Sequence, residues 1–159
     1  MSTIHFKETT TATPEQFIAG LTDFGPGRSK LFGNSADEHL KVHSKGAHEA
    51  DVTEGSNSIW ERLRYDWSNP DRVVLTTTDS NLWGGASGHT YTFTRQPNGT
   101  TDIDVIIVRE GKNLKENTNE GISNLCISSA LNQNETTHFH LPPHLFRVID
   151  SVKTSGALS

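Results

Sequence analysis

The sequence predicts an α+β fold, with a long antiparallel meander of strands preceded by one strand and a short helical region. Three observations point there. Its 159 residues supply one domain's worth of chain, too little for two full-sized domains or a complete (β/α)8 barrel. Runs with a two-residue hydrophobic period recur up to Arg109, broken by turn-forming residues, and the period becomes helical only near the N-terminus. Leu, Ile, Val and Phe together make 36 of the 159 residues, about 23%. That lies above the ~20% line below which a strongly charged chain stays disordered, so a modest core can form.

The elements follow in order. Ile4, Phe6 and Glu8 alternate with His5, Lys7 and Thr9, the signature of a strand from Ile4 to Thr10. Thr13-Pro-Glu-Gln16 then places a capping hydroxyl before a proline at the first helical position, with Gln at the third. Phe17, Ile18 and Leu21 continue as a helical stripe to about Asp23. Phe24-Gly-Pro-Gly27 breaks this helix, and Arg28 to Phe32 forms a second short helical turn. Leu40 and Val42 share a strand face, and Gly46 and Gly55 with their Asp, Asn and Ser neighbours supply turn chemistry. In Ile59 to Trp67, residues Ile59, Glu61, Leu63, Tyr65 and Trp67 face one way and Trp60, Arg62, Arg64 and Asp66 the other. Ser68-Asn-Pro-Asp71 turns the chain into a β-branched strand from Val73 to Thr78. His89 to Arg95 alternates His89, Tyr91 and Phe93 with threonines, and Gln96-Pro-Asn-Gly99 closes a hairpin into Asp102 to Arg109. After Lys115 the texture changes to Asn, Ser, Thr and Gln, with helical turns marked only around Ile122 to Leu131 and Leu145 to Val152. No internal repeat is present.

Charge and cysteine content exclude several function classes. Fourteen Lys and Arg against nineteen Asp and Glu leave a net charge of −5, which argues against nucleic acid or an anionic membrane surface as a partner. The single cysteine, Cys126, has no partner for an internal disulfide or a cysteine-based zinc site, and a reducing cytoplasm is the expected compartment. No secretory signal and no membrane-spanning apolar run is found.

The middle of the chain resembles a known family. Trp60-Glu-Arg-Leu-Arg-Tyr-Asp-Trp-Ser68, Pro70-Asp-Arg-Val73, Thr78-Asp-Ser-Asn-Leu-Trp-Gly-Gly-Ala-Ser-Gly-His-Thr-Tyr91 and Val108-Arg-Glu-Gly-Lys-Asn-Leu-Lys115 are similar to the polyketide cyclase/dehydrase-like branch of the START / Bet v 1-like (SRPBCC) superfamily. The resemblance covers Ile4 to Lys115. It implies a helix-grip fold, in which a curved antiparallel sheet of about seven strands, with two short helices, wraps a C-terminal helix around a cavity for an apolar ligand. The residues themselves give no reason to expect a tightly held cofactor or metal. The same resemblance sets an expectation that the ending departs from. After Glu110-Gly-Lys112 such proteins continue into a long amphipathic helix, whereas Glu116 to Ser159 offers no such stripe. The chain is therefore divided into 1–115, the sheet with its N-terminal helices, and 116–159, an atypical ending of the same domain. A reading-frame change would produce such an ending, and translating the coding DNA in its alternate frames past Lys115 tests it.

Within this frame, Leu63, Tyr65, Trp67, Tyr91 and Phe93 are candidate apolar walls of a ligand site, with ordinary core packing as the competing reading. Glu61 lies on the same face and needs a partner such as Arg109 or His89. It is read as an acid/base group, a ligand-orienting contact or, after a one-residue register shift, a solvated side chain. Trp83, in the glycine-rich run Trp83 to Gly88, is placed either over the sheet end or at the cavity mouth. Two histidine groups, His39 with His43 and His48, and His138 with His140 and His144, have spacings that suit metal ligands but lack a recognised zinc motif. The expectation is a binder of a small hydrophobic ligand such as a lipid, sterol or polyketide. A cyclase/dehydrase-type enzyme and a protein-interaction module using an open concave sheet are the alternatives, and a homodimer is left open.

Overall fold

The computed structural model describes residues 1–25, 39–56 and 58–112. Seven strands and one helix follow in order: β1 (Ser2–Thr10), α1 (Pro14–Leu21), β2 (Lys41–Lys45), β3 (Glu49–Ser56), β4 (Ile59–Asn69), β5 (Arg72–Ser80), β6 (Gly88–Arg95) and β7 (Thr101–Arg109). The strands form one antiparallel sheet in the order β1-β7-β6-β5-β4-β3-β2. This is the expected sheet of about seven strands. The anticipated second helical turn at Arg28 to Phe32, the helical turns after Lys115 and the whole of 116–159 lie outside the described residues.

The helix forms where its capping chemistry says it should. Thr13 accepts a hydrogen bond from the Gln16 backbone N–H at 3.3 Å, and Gln16 Oε1 accepts from the Thr13 N–H at 2.9 Å, so two otherwise orphaned donors are satisfied reciprocally. Phe17 and Leu21, one turn apart, are buried against the sheet. Arg95 at the end of β6 pairs with Glu15 and ties the helix start to the sheet; hydrogen bonding from Arg95 pulls the exposed Glu15 carboxyl down to about 2. At the other end, Lys45 Nζ donates to the Thr22 carbonyl at 3.0 Å and covers the helix C-terminus.

Alternation along each strand delivers one apolar face. Ala50 and Val52, Leu63 and Tyr65, Val73 and Leu75, Tyr91 and Phe93, and Ile103, Val105 and Ile107 all turn to the helix side and join Phe17 and Leu21 in a single core. The opposite face carries paired charges: Asp51 receives a two-pronged ion pair from Arg62 at 2.7 and 2.8 Å, and Asp104 accepts from His5 at 2.8 Å. Two departures from the sequence reading matter for the site. Gly55 sits inside β3 opposite Trp60, and the turn falls around Ser58. β5 runs on to Ser80 because Thr78 is an inserted residue: Arg62 pairs with Asp79 and Leu63 with Thr77, a bulge that returns Ser80 to the interior.

Candidate functional site

The concave face has an aromatic middle and a polar end. In the middle, Phe17 of α1 packs against Tyr91 and Phe93 of β6, with ring centroids at 5.8 and 5.3 Å. Phe24 meets Tyr65 edge-on at 5.2 Å. Leu63, Tyr65, Tyr91 and Phe93 are buried, and Trp67 is half-buried against the same core. Trp67 is six residues from Glu61 along β4, about 20 Å at the rise of a strand, so these two candidates mark opposite ends of the face.

The polar end is assembled from four strands and one corner. Glu61 on β4, His89 at the start of β6 and Arg109 at the end of β7 are far apart in sequence but meet here. Arg109 Nη1 donates to Glu61 Oε1 at 2.7 Å, and Thr77 Oγ1 of β5 donates to the same oxygen at 3.1 Å. Arg109 Nη2 lies 2.7 Å from His89 Nε2. A guanidinium only donates, so Nε2 accepts and carries no proton in this arrangement. The Trp83 ring covers Arg109, with the guanidinium carbon 5.3 Å from the ring centroid. Arg109 is thus held on three sides: by a carboxylate, an imidazole lone pair and an aromatic face.

Burial sets the electrostatics. The Glu61 and Arg109 side chains are only 12% and 19% exposed. Desolvation pushes the Glu61 carboxyl above its ordinary value, although Arg109 and Thr77 pull it down. Burial is the largest influence, and Glu54, directly opposite Glu61 on β3, adds a smaller upward push as a second negative group. Glu54 accepts from the Tyr65 hydroxyl at 2.8 Å and links the aromatic middle to the polar end. Glu54, Thr77, Phe17 and Phe24 are site residues that sequence reasoning does not single out. For Glu54 a signal exists: it continues the inward alternation of Ala50 and Val52. Among the described residues, no group of three His, Cys, Asp or Glu side chains is placed to hold a metal, and His43 instead bonds Thr53 at 2.8 Å. His138, His140 and His144 lie outside the described residues.

No family model matches the chain, and no curated protein matches it. Solved structures do. A START superfamily protein from Mycobacterium smegmatis superposes with a TM-score of 0.62 at 7% identity, over 96% of this chain and 98% of that one. The fold is the START / Bet v 1-like fold. The Zhui aromatase/cyclase from a Streptomyces species shares it with a TM-score of 0.58 at 12% identity, over 98% of this chain and 88% of that one. A Thermus thermophilus protein, TTHA0849, does so at 0.68 and 10% identity, over 98% and 100%. At such identities the START / Bet v 1-like likeness is one of fold. No helix among the described residues is long and apolar enough to cross a membrane.

Proposed function

We propose that the concave face binds a small hydrophobic ligand, whose apolar body lies along the aromatic middle and whose polar group is oriented by Glu61, His89 and Arg109. One observation carries this reading: at one end of a largely apolar concave face a largely buried carboxylate and guanidinium and a half-buried imidazole are already joined through Arg109. Burying such charged groups costs stability unless they are paired, and a preorganised cluster of this kind is how small-ligand sites obtain orientation. Trp83 closes the cluster from the corner side. A START superfamily protein and an aromatase/cyclase among the structural neighbours fit a ligand-holding fold. Lipids, sterols and polyketide-like molecules are the classes to try first.

The test is a thermal-shift panel of such molecules. A true ligand at about 100 times its Kd raises the midpoint by roughly 5–10 °C for a chain of this size. Glu61→Gln and His89→Ala should shrink that rise, measured from each variant's own ligand-free midpoint. No rise with any member of the panel would sink the proposal.

A second reading is a cyclase/dehydrase-type enzyme. It is favoured by the same cluster, in which a carboxyl raised by burial and an imidazole, two groups able to move a proton, meet at Arg109. Turnover lost in Glu61→Gln and His89→Ala, with binding retained, distinguishes it from a pure binder.

A further inference from the structure

The corner from Asn81 to Gly88, which carries Trp83, is held by backbone bonds, with Lys112 N–H donating to the Leu82 carbonyl at 3.0 Å and Thr77 N–H to the Ser87 carbonyl at 3.1 Å, and by two side chains. Near its start, the buried Ser80 hydroxyl donates to the Trp60 carbonyl at 2.7 Å and accepts from the Leu82 and Trp83 backbone N–H groups at 3.1 and 3.2 Å. Farther along, Glu110 supplies the fastening. Its carboxylate accepts from the Ala86 N–H at 3.1 Å, its carbonyl accepts from the Gly84 N–H at 2.8 Å, and its own N–H donates to Ser87 Oγ at 2.9 Å. Gly85 has φ +55, and a Cβ there would overlap the Glu110 carboxyl group. A side chain at position 85 would be strained by the backbone conformation and would displace the seated carboxylate. Glu110 lies just past the end of β7, and its carboxylate is taken up by the Ala86 N–H of the corner.

We infer that Glu110 is a positioning residue: by seating its carboxylate in the Gly85–Ala86 turn it holds the corner closed and keeps Trp83 stacked on Arg109. The inference rests on the reading of Arg109 as the ligand's polar anchor and deepens it. A corner carrying Gly84, Gly85 and Gly88 has little stiffness of its own; the Ser80 hydroxyl and the backbone bonds to Lys112 and Glu110 hold its first half, and the Glu110 carboxylate is the side-chain hold on its tip at Ala86. Without the Glu110 carboxylate the Trp83 ring leaves the guanidinium, which then loses one of its three holds.

The protein labelled with 5-fluorotryptophan gives one 19F signal for each of Trp60, Trp67 and Trp83, assigned by Trp→Phe variants. Glu110→Ala should move and broaden the Trp83 signal and leave the other two in place. Glu110→Gln, whose amide oxygen still accepts from Ala86, should restore it. With the fluorescent apolar probe anilinonaphthalene sulfonate, Glu110→Ala should weaken binding about five- to tenfold, the worth of one partly buried cation–π contact. It should add nothing in a Trp83→Phe background. An unmoved Trp83 signal, or all three signals moving together as in a general loosening, overturns the inference. If Glu110→Ala does not fold, Glu110→Asp keeps the charge but falls short of Ala86 and carries the same expectations. Should Arg109→Gln leave probe binding unchanged, the anchor reading fails by itself, while the 19F signals still decide the role of Glu110.

Discussion

Glu61 concentrates the residue-scale chemistry. Its folded-state carboxyl binds protons more tightly than the unfolded chain's, so the native state gains protons relative to the unfolded one and stability falls as pH rises from the ordinary value of 4.5 towards the elevated one. Urea unfolding across that window should show the decline in the wild type and a flatter profile in Glu61→Gln. Removing the other partner is worse: Arg109→Gln strands a largely buried carboxylate and should cost about 2–4 kcal/mol at neutral pH, readable as a lowered urea midpoint. Gly88 presents a different constraint, since a Cβ there would collide with the Leu75 carbonyl where β5 and β6 run closest. Gly88→Ala should destabilise by about 1–3 kcal/mol and disturb the neighbouring His89, which 1H–15N spectra would register. That Glu61 shares a strand face with Leu63 and Tyr65, and His89 one with Tyr91 and Phe93, is legible from alternation, with the register of Glu61 left open. Their meeting at Arg109 is not: Glu61 and Arg109 are 48 residues apart, and alternation gives a face but no strand order or register.

At the scale of elements, local signals carry most of the information. Thr13-Pro-Glu-Gln16 announces the start of α1 because capping is chemistry within four residues, and Thr13→Ala should cost about 1 kcal/mol in thermal or urea unfolding. The strands from Ile59 onward are similarly plain, since each buries one face only. β3 is harder to read. Its outward Asp51 and Thr53 and its inward Glu54 look like turn composition, yet Arg62 neutralises Asp51 and Tyr65 satisfies Glu54 from the neighbouring strand. The bulge at Thr78 is invisible in the sequence for a related reason: an inserted residue is recognised only against a partner strand. Its effect is specific, because it turns Ser80 inward to brace the backbone of Trp83.

At the scale of the whole molecule, the last described strand lies inside the sheet. β7 sits between β6 and β1, and its register with β1 runs from Ser2 opposite Arg109 to Thr10 opposite Thr101. Deleting residues 2–10 would bare the full edge of β7, and the shortened chain should self-associate with rising concentration in sedimentation experiments. The same arrangement governs the order of assembly. β1 precedes the other described strands, yet its partner β7 is complete only once Arg109 has been made, so their pairing must close a loop of about a hundred residues. Contacts of such long sequence separation slow folding, and refolding in milliseconds to seconds is expected, with β1 docking last. On the ribosome, the opening residues Ile4 and Phe6 would then wait, apolar and unpaired, for nearly the whole sheet to emerge, an interval in which a chaperone has a defined segment to protect.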